Sequence, residues 1–290
     1  MRSWLVTPAE NEKALSSVSQ SGADVVAIDL ARGLGEQAQA AARIEARDWL
    51  AAQMRQVLAQ KRFSRWVRIG GIAGPYWRED LAAVMQGEPE GIILSDADSP
   101  EHIRELAAVI YELEQHRGIA HNSTRIVPQL GGSAQVAFTI GQFASEVHPR
   151  VSGLTWDATA LARALGARRT RGPGAAFTDA MAHVRAQVLL AAHANGLDAV
   201  DSPWRDARDA KGARTAADAA RADGFSGMVA IHPAQVPLIN EAFRPTSEER
   251  AEAQEIIGAF ASNPHAEVLP LKGRRIGAPQ LARAKRLLAG

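Results

Sequence analysis

The chain has 290 residues, 46% of them apolar, and 33 Lys and Arg against 32 Asp and Glu leave a net charge of +1. That length suits a single α/β barrel with a large core, and near-neutral charge gives no bulk attraction to nucleic acid or to a membrane surface. There is no cysteine, which excludes disulfides, cysteine–zinc sites and a cysteine nucleophile and fits a reducing cytoplasm. The first residues, MRSWLVTPAENEK, lack an apolar stretch of signal-peptide length, and no window has the length of a membrane span.

Short apolar runs alternate with longer helical ones along the chain. The first two predicted strands, 3–6 and 24–30, precede an alanine-rich helix over 36–60. A third strand, 65–69, leads into a helix over 75–85 that opens on Pro75. A fourth, 91–94, leads into a helix from Ser99, its predicted N-cap, to Arg117. Strands at 125–130 and 153–156 follow, then a basic, glycine-rich loop over 166–174 and a helix over 173–195 that stops at Gly196. The seventh strand, 197–201, precedes a helix over 214–222, and the eighth, 227–231, precedes one over 233–242.

These strands are rich in Val, Ile and Leu without strict alternation, as expected of strands buried on both faces. Eight strand–helix units predict a (β/α)8 TIM barrel. The competing arrangement, an open doubly wound sheet, is weakened by the lack of a G-x-G-x-x-G run after the first strand. Residues 1–243 are assigned to the barrel. Residues 244–290, with a helix capped by Thr246 or Ser247, a hairpin-like element and a basic last helix, are predicted to be a C-terminal helical extension covering the barrel or a neighbouring subunit.

In such a barrel the chemistry lies at the C-terminal ends of the strands. Standing there are Asp29, Arg68, the pair Asp96 and Asp98, the glycines Gly131 and Gly132, then Asp157, Asp201 and His232. Arg68 sits inside the apolar run WVRIGG and must have its charge met, either by a ligand carboxylate or phosphate or by a structural pair with Asp29 or Asp96. Asp29, Asp96, Asp157 and Asp201 either converge on a divalent cation or cap loops and helix starts. His232 is either a base or a structural hydrogen-bonding group. Arg168, Arg169 and Arg171 either meet the phosphates of a nucleotide-like ligand or are solvated; Trp204 and Arg205 are candidate rim residues, with packing as the alternative for Trp204.

The run GFSGMVAIHPAQVPLINEAFRPTSEE, residues 224–249, resembles the citrate lyase beta-chain group of the HpcH/HpaI aldolase superfamily. SGADVVAIDL, WVRI, YWREDLAAV, LARALGARRT and DARDAKG keep the same order, so the resemblance spans nearly the whole chain. It implies a (β/α)8 barrel in a homo-oligomer, a trimer favoured, that acts as a magnesium-dependent carbon–carbon lyase. The implied substrate is a short 3-hydroxyacyl thioester of coenzyme A or of an acyl carrier protein. By the same resemblance Arg68 matches the substrate arginine and Asp29 the first acid of an Asp-Leu-Glu-Asp signature. Ala31 and Arg32 replace the next two acids, and Asp96 stands where a lysine is usual. Gly131 and Ala160 stand at the two magnesium-ligand positions, each small and uncharged. The expected site is therefore Arg68, Asp29, Asp96, Asp157, Gly131 and Gly132, with no metal ligand assigned and with Asp96 and Arg32 as candidate exchanged partners in a salt bridge. Two functions follow: a lyase of this kind with an altered site, or a non-catalytic relative that binds a coenzyme A ester or anionic metabolite. An aldolase for free keto acids is a third and weaker fit.

Overall fold

A computed structural model describes residues 1–56, 63–172 and 175–289. They form two compact units, Met1–Phe243 and Arg244–Gly290. In the first, β1 (Ser3–Pro8), α1 (Glu12–Val18), β2 (Val25–Asp29), α2 (Glu36–Gln56), β3 (Ser64–Ile69) and α3 (Trp77–Val84) open the chain. Next come β4 (Gly91–Leu94), α4 (Pro100–Arg117), β5 (Arg125–Leu130), α5 (Val136–Thr139), α6 (Gln142–Ser145), β6 (Gly153–Trp156) and α7 (Ala158–Ala164). Then follow α8 (Asp179–Ala194), β7 (Asp198–Asp201), α9 (Ala210–Asp223), β8 (Gly227–Ala230) and α10 (Val236–Ala242). The eight strands are parallel and close into a barrel in sequence order, with β8 pairing back on β1.

All eight strands fall within a residue or two of their predicted positions. The helix predicted over 36–60 is described to Gln56, and 57–60 lie outside the described residues, as does the predicted start at Pro173. The helix there begins at Asp179, and α9 starts at Ala210, earlier than predicted, because Asp209 accepts the N–H of Gly212 as its cap. Ser99 is the N-cap of α4 by position, but its side chain makes no capping bond. Helices α1 and α7 carry no strong apolar periodicity in the sequence; side-chain caps on Asn11 and Asp157 start them.

Period-two alternation sends one set of side chains into the barrel and the other toward the helices. Trp4, Val25, Ala27, Trp66, Ile93, Val127, Val200 and Val229 fill the interior. Trp4 and Trp66 meet edge to face, 5.0 Å between centroids. Gly91 makes room for them, since a Cβ there would collide with the Trp66 ring. The outward set, including Leu5, Val26, Ile28, Val67, Ile92 and Leu154, packs under the helices in a second, larger core.

The second unit contains α11 (Ser247–Ser262), the antiparallel pair β9 (Val268–Leu271) and β10 (Arg274–Gly277), and α12 (Ala278–Ala289). Thr246 and Glu249 form a reciprocal capping box at the start of α11. Ala253, Ile256, Ile276 and Ala284 make its small core. Among the described residues no helix is long and apolar enough to cross a membrane.

Candidate active site

The alternation that buries Val25 and Ala27 also carries Asp29 inward at the end of β2, and Trp66 is followed two residues later by Arg68. The register sets Asp29 directly beside Arg68. Arg68 Nη1 donates to Asp29 Oδ1 at 2.9 Å, and Arg68 Nε donates to Gln129 Oε1 at 2.7 Å. Ser95 Oγ donates to the same Gln129 oxygen at 3.4 Å, and Asp29 Oδ1 also accepts the Ala31 N–H at 3.0 Å. Of the two structural partners expected for Arg68, Asp29 is the one it takes. That pair offsets the cost of holding a guanidinium in a nearly closed barrel and fixes its plane. Nη2 and the second Nη1 hydrogen have no partner among the described residues, so part of the fork is open to a ligand. Gln129, buried inside β5, escapes detection in the sequence because a lone glutamine in an apolar run carries no spacing signal.

Asp96 follows β4 with φ +51°, a left-handed backbone that is uncommon for a residue with a side chain. Two glycines make room for it. A Cβ on Gly132 would collide with Asp96 Oδ1, and one on Gly71 would fall 3.2 Å from Asp96 Cβ. Asp96 is an exposed residue, though its inner side is crowded by these glycines, and it has no hydrogen-bond or ion-pair partner among the described residues. Burial against these neighbours pushes its carboxyl above the usual aspartate range; Arg68 pulls it back, while Asp98 and Asp157 push it further up. Beside it, Asp98 Oδ1 and Ser133 Oγ are buried without a partner among the described residues.

Asp157 caps α7, accepting the N–H groups of Thr159 at 2.8 Å and Ala160 at 3.2 Å. Arg205 Nη2 lies 2.7 Å from one oxygen of Asp157 and 2.9 Å from the other. Burial works against the Asp157 charge, but Arg205, these backbone donors and Arg68 hold its carboxyl below the ordinary range. Asp201 is taken up by Trp156 Nε1 and the Ser202 N–H, each at 2.8 Å, and by Arg185 Nε at 2.9 Å. His232 Nδ1 accepts the Ala234 N–H at 3.1 Å and starts the turn before α10, the structural role of its two alternatives. Arg171 lies over the Phe177 ring at 3.6 Å, while Arg168 and Arg169 are exposed.

The four aspartates therefore do not converge. Asp29, Asp157 and Asp201 each belong to an arginine and to nearby N–H donors, which leaves Asp96 as the unclaimed carboxylate of the set. Among the described residues no group of three or more His, Cys, Asp or Glu side chains comes together to hold a metal ion. Arg32 pairs with Glu10 at 2.8 Å, not with Asp96, so the exchanged salt bridge is not formed. Magnesium gives up water reluctantly and needs several oxygens in octahedral array. Gly131 has φ +111°, with the Asp157 carbonyl 3.0 Å from where a Cβ would sit, and Ala160 contributes a methyl group, so the residues present do not fit that ion.

Residues 2–233 match the family model described as HpcH/HpaI aldolase/citrate lyase. A citrate lyase subunit beta-like protein of Mycobacterium tuberculosis is 30% identical over 285 residues, covering 98% of this chain and 93% of its own length. A (3S)-malyl-CoA thioesterase of Cereibacter sphaeroides is 28% identical over 259 residues, covering 89% and 82%. Among solved structures, protein CitE of M. tuberculosis in complex with magnesium, acetoacetate and coenzyme A matches with a TM-score of 0.70 at 28% identity, covering 99% of this chain and 97% of that one. The chain belongs to the HpcH/HpaI aldolase/citrate lyase family, beside its citrate lyase beta-like lyases and thioesterases.

Proposed function

We propose that this protein is a carbon–carbon lyase for a short, carboxylate-bearing 3-hydroxyacyl-CoA thioester and that it works without a divalent ion. The observation that carries this is Arg68, locked by Asp29 and Gln129 with the rest of its fork open at the end of the barrel that houses chemistry in this fold. Arg68 grips the substrate carboxylate. Asp96, strained, unpartnered and raised in pKa, takes the proton of the 3-hydroxyl. As the C3–O bond becomes a carbonyl, the C2–C3 bond breaks and its electron pair moves into the thioester as an enolate. Asp96 returns that proton to C2, which releases the acetyl thioester and restores the carboxylate, and the keto acid stays on Arg68 until it leaves. The coenzyme A ester and the homo-oligomer rest on the family likeness, and a cytoplasmic setting rests on the cysteine-free composition.

Malyl-CoA is a suitable test substrate. The expected result is acetyl-CoA release that persists in EDTA and vanishes in Arg68→Ala. No turnover by the unaltered protein, with magnesium or manganese supplied, overturns it.

One observation favours a second reading, a non-catalytic relative that binds a coenzyme A ester or organic acid. Gly131 and Ala160 bring no carboxylate to the positions where the family resemblance puts metal ligands. Calorimetric binding of the ester, indifferent to chelator and without any turnover, identifies that case.

A further inference from the structure

We propose that Arg205, held in place by Asp157, turns the remaining N–H donors of its guanidinium toward the ligand and takes the oxyanion-binding part that a divalent ion would otherwise play. This rests on the placement of the ligand at Arg68 and deepens it by naming the second cation of the site. Four observations support it. Arg205 Nη2 straddles both Asp157 oxygens at 2.7 and 2.9 Å, so the guanidinium is held in one place. Asp157 is only 14% exposed, whereas Arg205 is 45% exposed, which leaves the other donors of the guanidinium accessible. The Asp157 backbone packs against Gly131, and the next residue, Gly132, packs against Asp96, so Asp157 stands at the same mouth as Asp96, and its carboxylate feels the charge of Arg68. Gly131, with φ +111° and the Asp157 carbonyl 3.0 Å from where a Cβ would sit, has the backbone of a residue without a side chain, and a glutamate would not rest there unstrained.

The chemistry is compatible with the exchange. A guanidinium is permanently charged and weakly hydrated, and it presents fixed N–H donors to an oxygen that gains negative charge. It needs no octahedral ligand set, so a mouth with one unclaimed carboxylate is sufficient. The ligand class is the one Arg68 selects: an anionic carboxylate joined to a polarisable thioester or keto oxygen. Arg205 meets that oxygen while Arg68 holds the carboxylate.

Malonyl-CoA is a fitting probe, since it carries the carboxylate and the thioester but no hydroxyl to be cleaved. Its affinity is measured by calorimetry in EDTA and in magnesium, and Mn2+ uptake by the loss of the free-ion paramagnetic signal. The unaltered protein is expected to bind malonyl-CoA with the same affinity in both buffers and to take up no Mn2+. Arg205→Ala is expected to weaken malonyl-CoA by about tenfold or more, the scale of a lost charge-assisted hydrogen bond, and Arg205→Lys to recover part of the loss.

An Arg205 that only fastens its loop would shift the melting temperature of Arg205→Ala while leaving affinity unchanged, and that result overturns the inference. So does a magnesium-dependent gain in affinity of about tenfold in the unaltered protein, on the same scale. The two levels separate cleanly. If Arg68→Ala weakens binding and Arg205→Ala does not, the anchor stands and the cation exchange fails. If Arg68→Ala has no effect, the ligand placement itself fails.

Discussion

Asp96 is held in a left-handed backbone against Gly132, with no cation bonded to its carboxylate among the described residues. A carboxyl whose pKa is raised by folding binds its proton more tightly in the folded state than in the unfolded chain. Its charge therefore costs stability above that pKa and costs none below the ordinary value. Asp96→Asn, which keeps a side chain tolerant of left-handed φ, is expected to raise the melting temperature at neutral pH while abolishing turnover. The kcat/KM profile of the unaltered protein is expected to fall on its acid side through a pKa above the ordinary aspartate value of about 4. A melting temperature unchanged or lowered in Asp96→Asn speaks against a carboxylate whose charge costs folding stability at neutral pH. In the sequence Asp96 is visible as an acid after a strand; its conformation and the glycine shelf are not, because both depend on loops that meet only in the closed barrel. Arg205 is visible as a rim residue, but nothing local marks a partner as distant in sequence as Asp157.

Among the elements, a fully buried ion pair forms a joint at the strand N-termini, away from the mouth. Glu114 near the end of α4 accepts Arg150 Nη1 at 2.8 Å and Nη2 at 2.6 Å, and both side chains are fully buried. Glu114 also accepts the N–H groups of Asn122 and Thr124 just before β5, so one carboxylate fastens α4, β5 and the approach to β6. Burial opposes its charge, yet Arg150 and these donors hold its carboxyl below the usual range. Arg150→Ala is expected to lower stability by about 3–5 kcal/mol, because it leaves a buried carboxylate unpaired; a loss under about 1 kcal/mol in denaturant titration contradicts the assignment. At the other end of β5, Gly131→Glu restores the residue type expected from the family resemblance but forces φ +111° on a side chain. It is expected to cost about 1–3 kcal/mol without creating a magnesium site. The strands are legible because continuous Val, Ile and Leu runs of strand length, set between glycine-rich and polar breaks, suit a buried strand and are too short for a buried helix. Helix α7 is not legible, because its seven residues, mostly alanine, offer too short a stripe, and its start depends on a cap that Arg205 also claims.

Across the whole molecule, the depressed carboxyls Asp24, Glu114 and Asp157 set the acid limit. Their contribution is complete above about pH 5.5, where the unfolded chain is also ionised, and is lost as pH falls through their lower folded values. Melting temperature is therefore expected to drop steeply below about pH 4, with Asp80 and Asp96, whose carboxyls are raised, acting in the opposite sense. The ring of eight units is legible from the alternation of strands and helices, and the family from the run ending at Glu249. The charge arrangement at the mouth is legible only as a set of acids and arginines, since pairing is decided by which strand ends become neighbours. In the proposed reading Arg68 anchors the ligand carboxylate and Arg205, held on Asp157, serves as a second cation at the mouth. The most direct test is anomalous diffraction from a crystal soaked in Mn2+ and malonyl-CoA. We expect no metal peak at the mouth, with the ester carboxylate on Arg68 and Arg205 still on Asp157. An octahedral ion bound by Asp29, Asp96 or Asp157 contradicts the account.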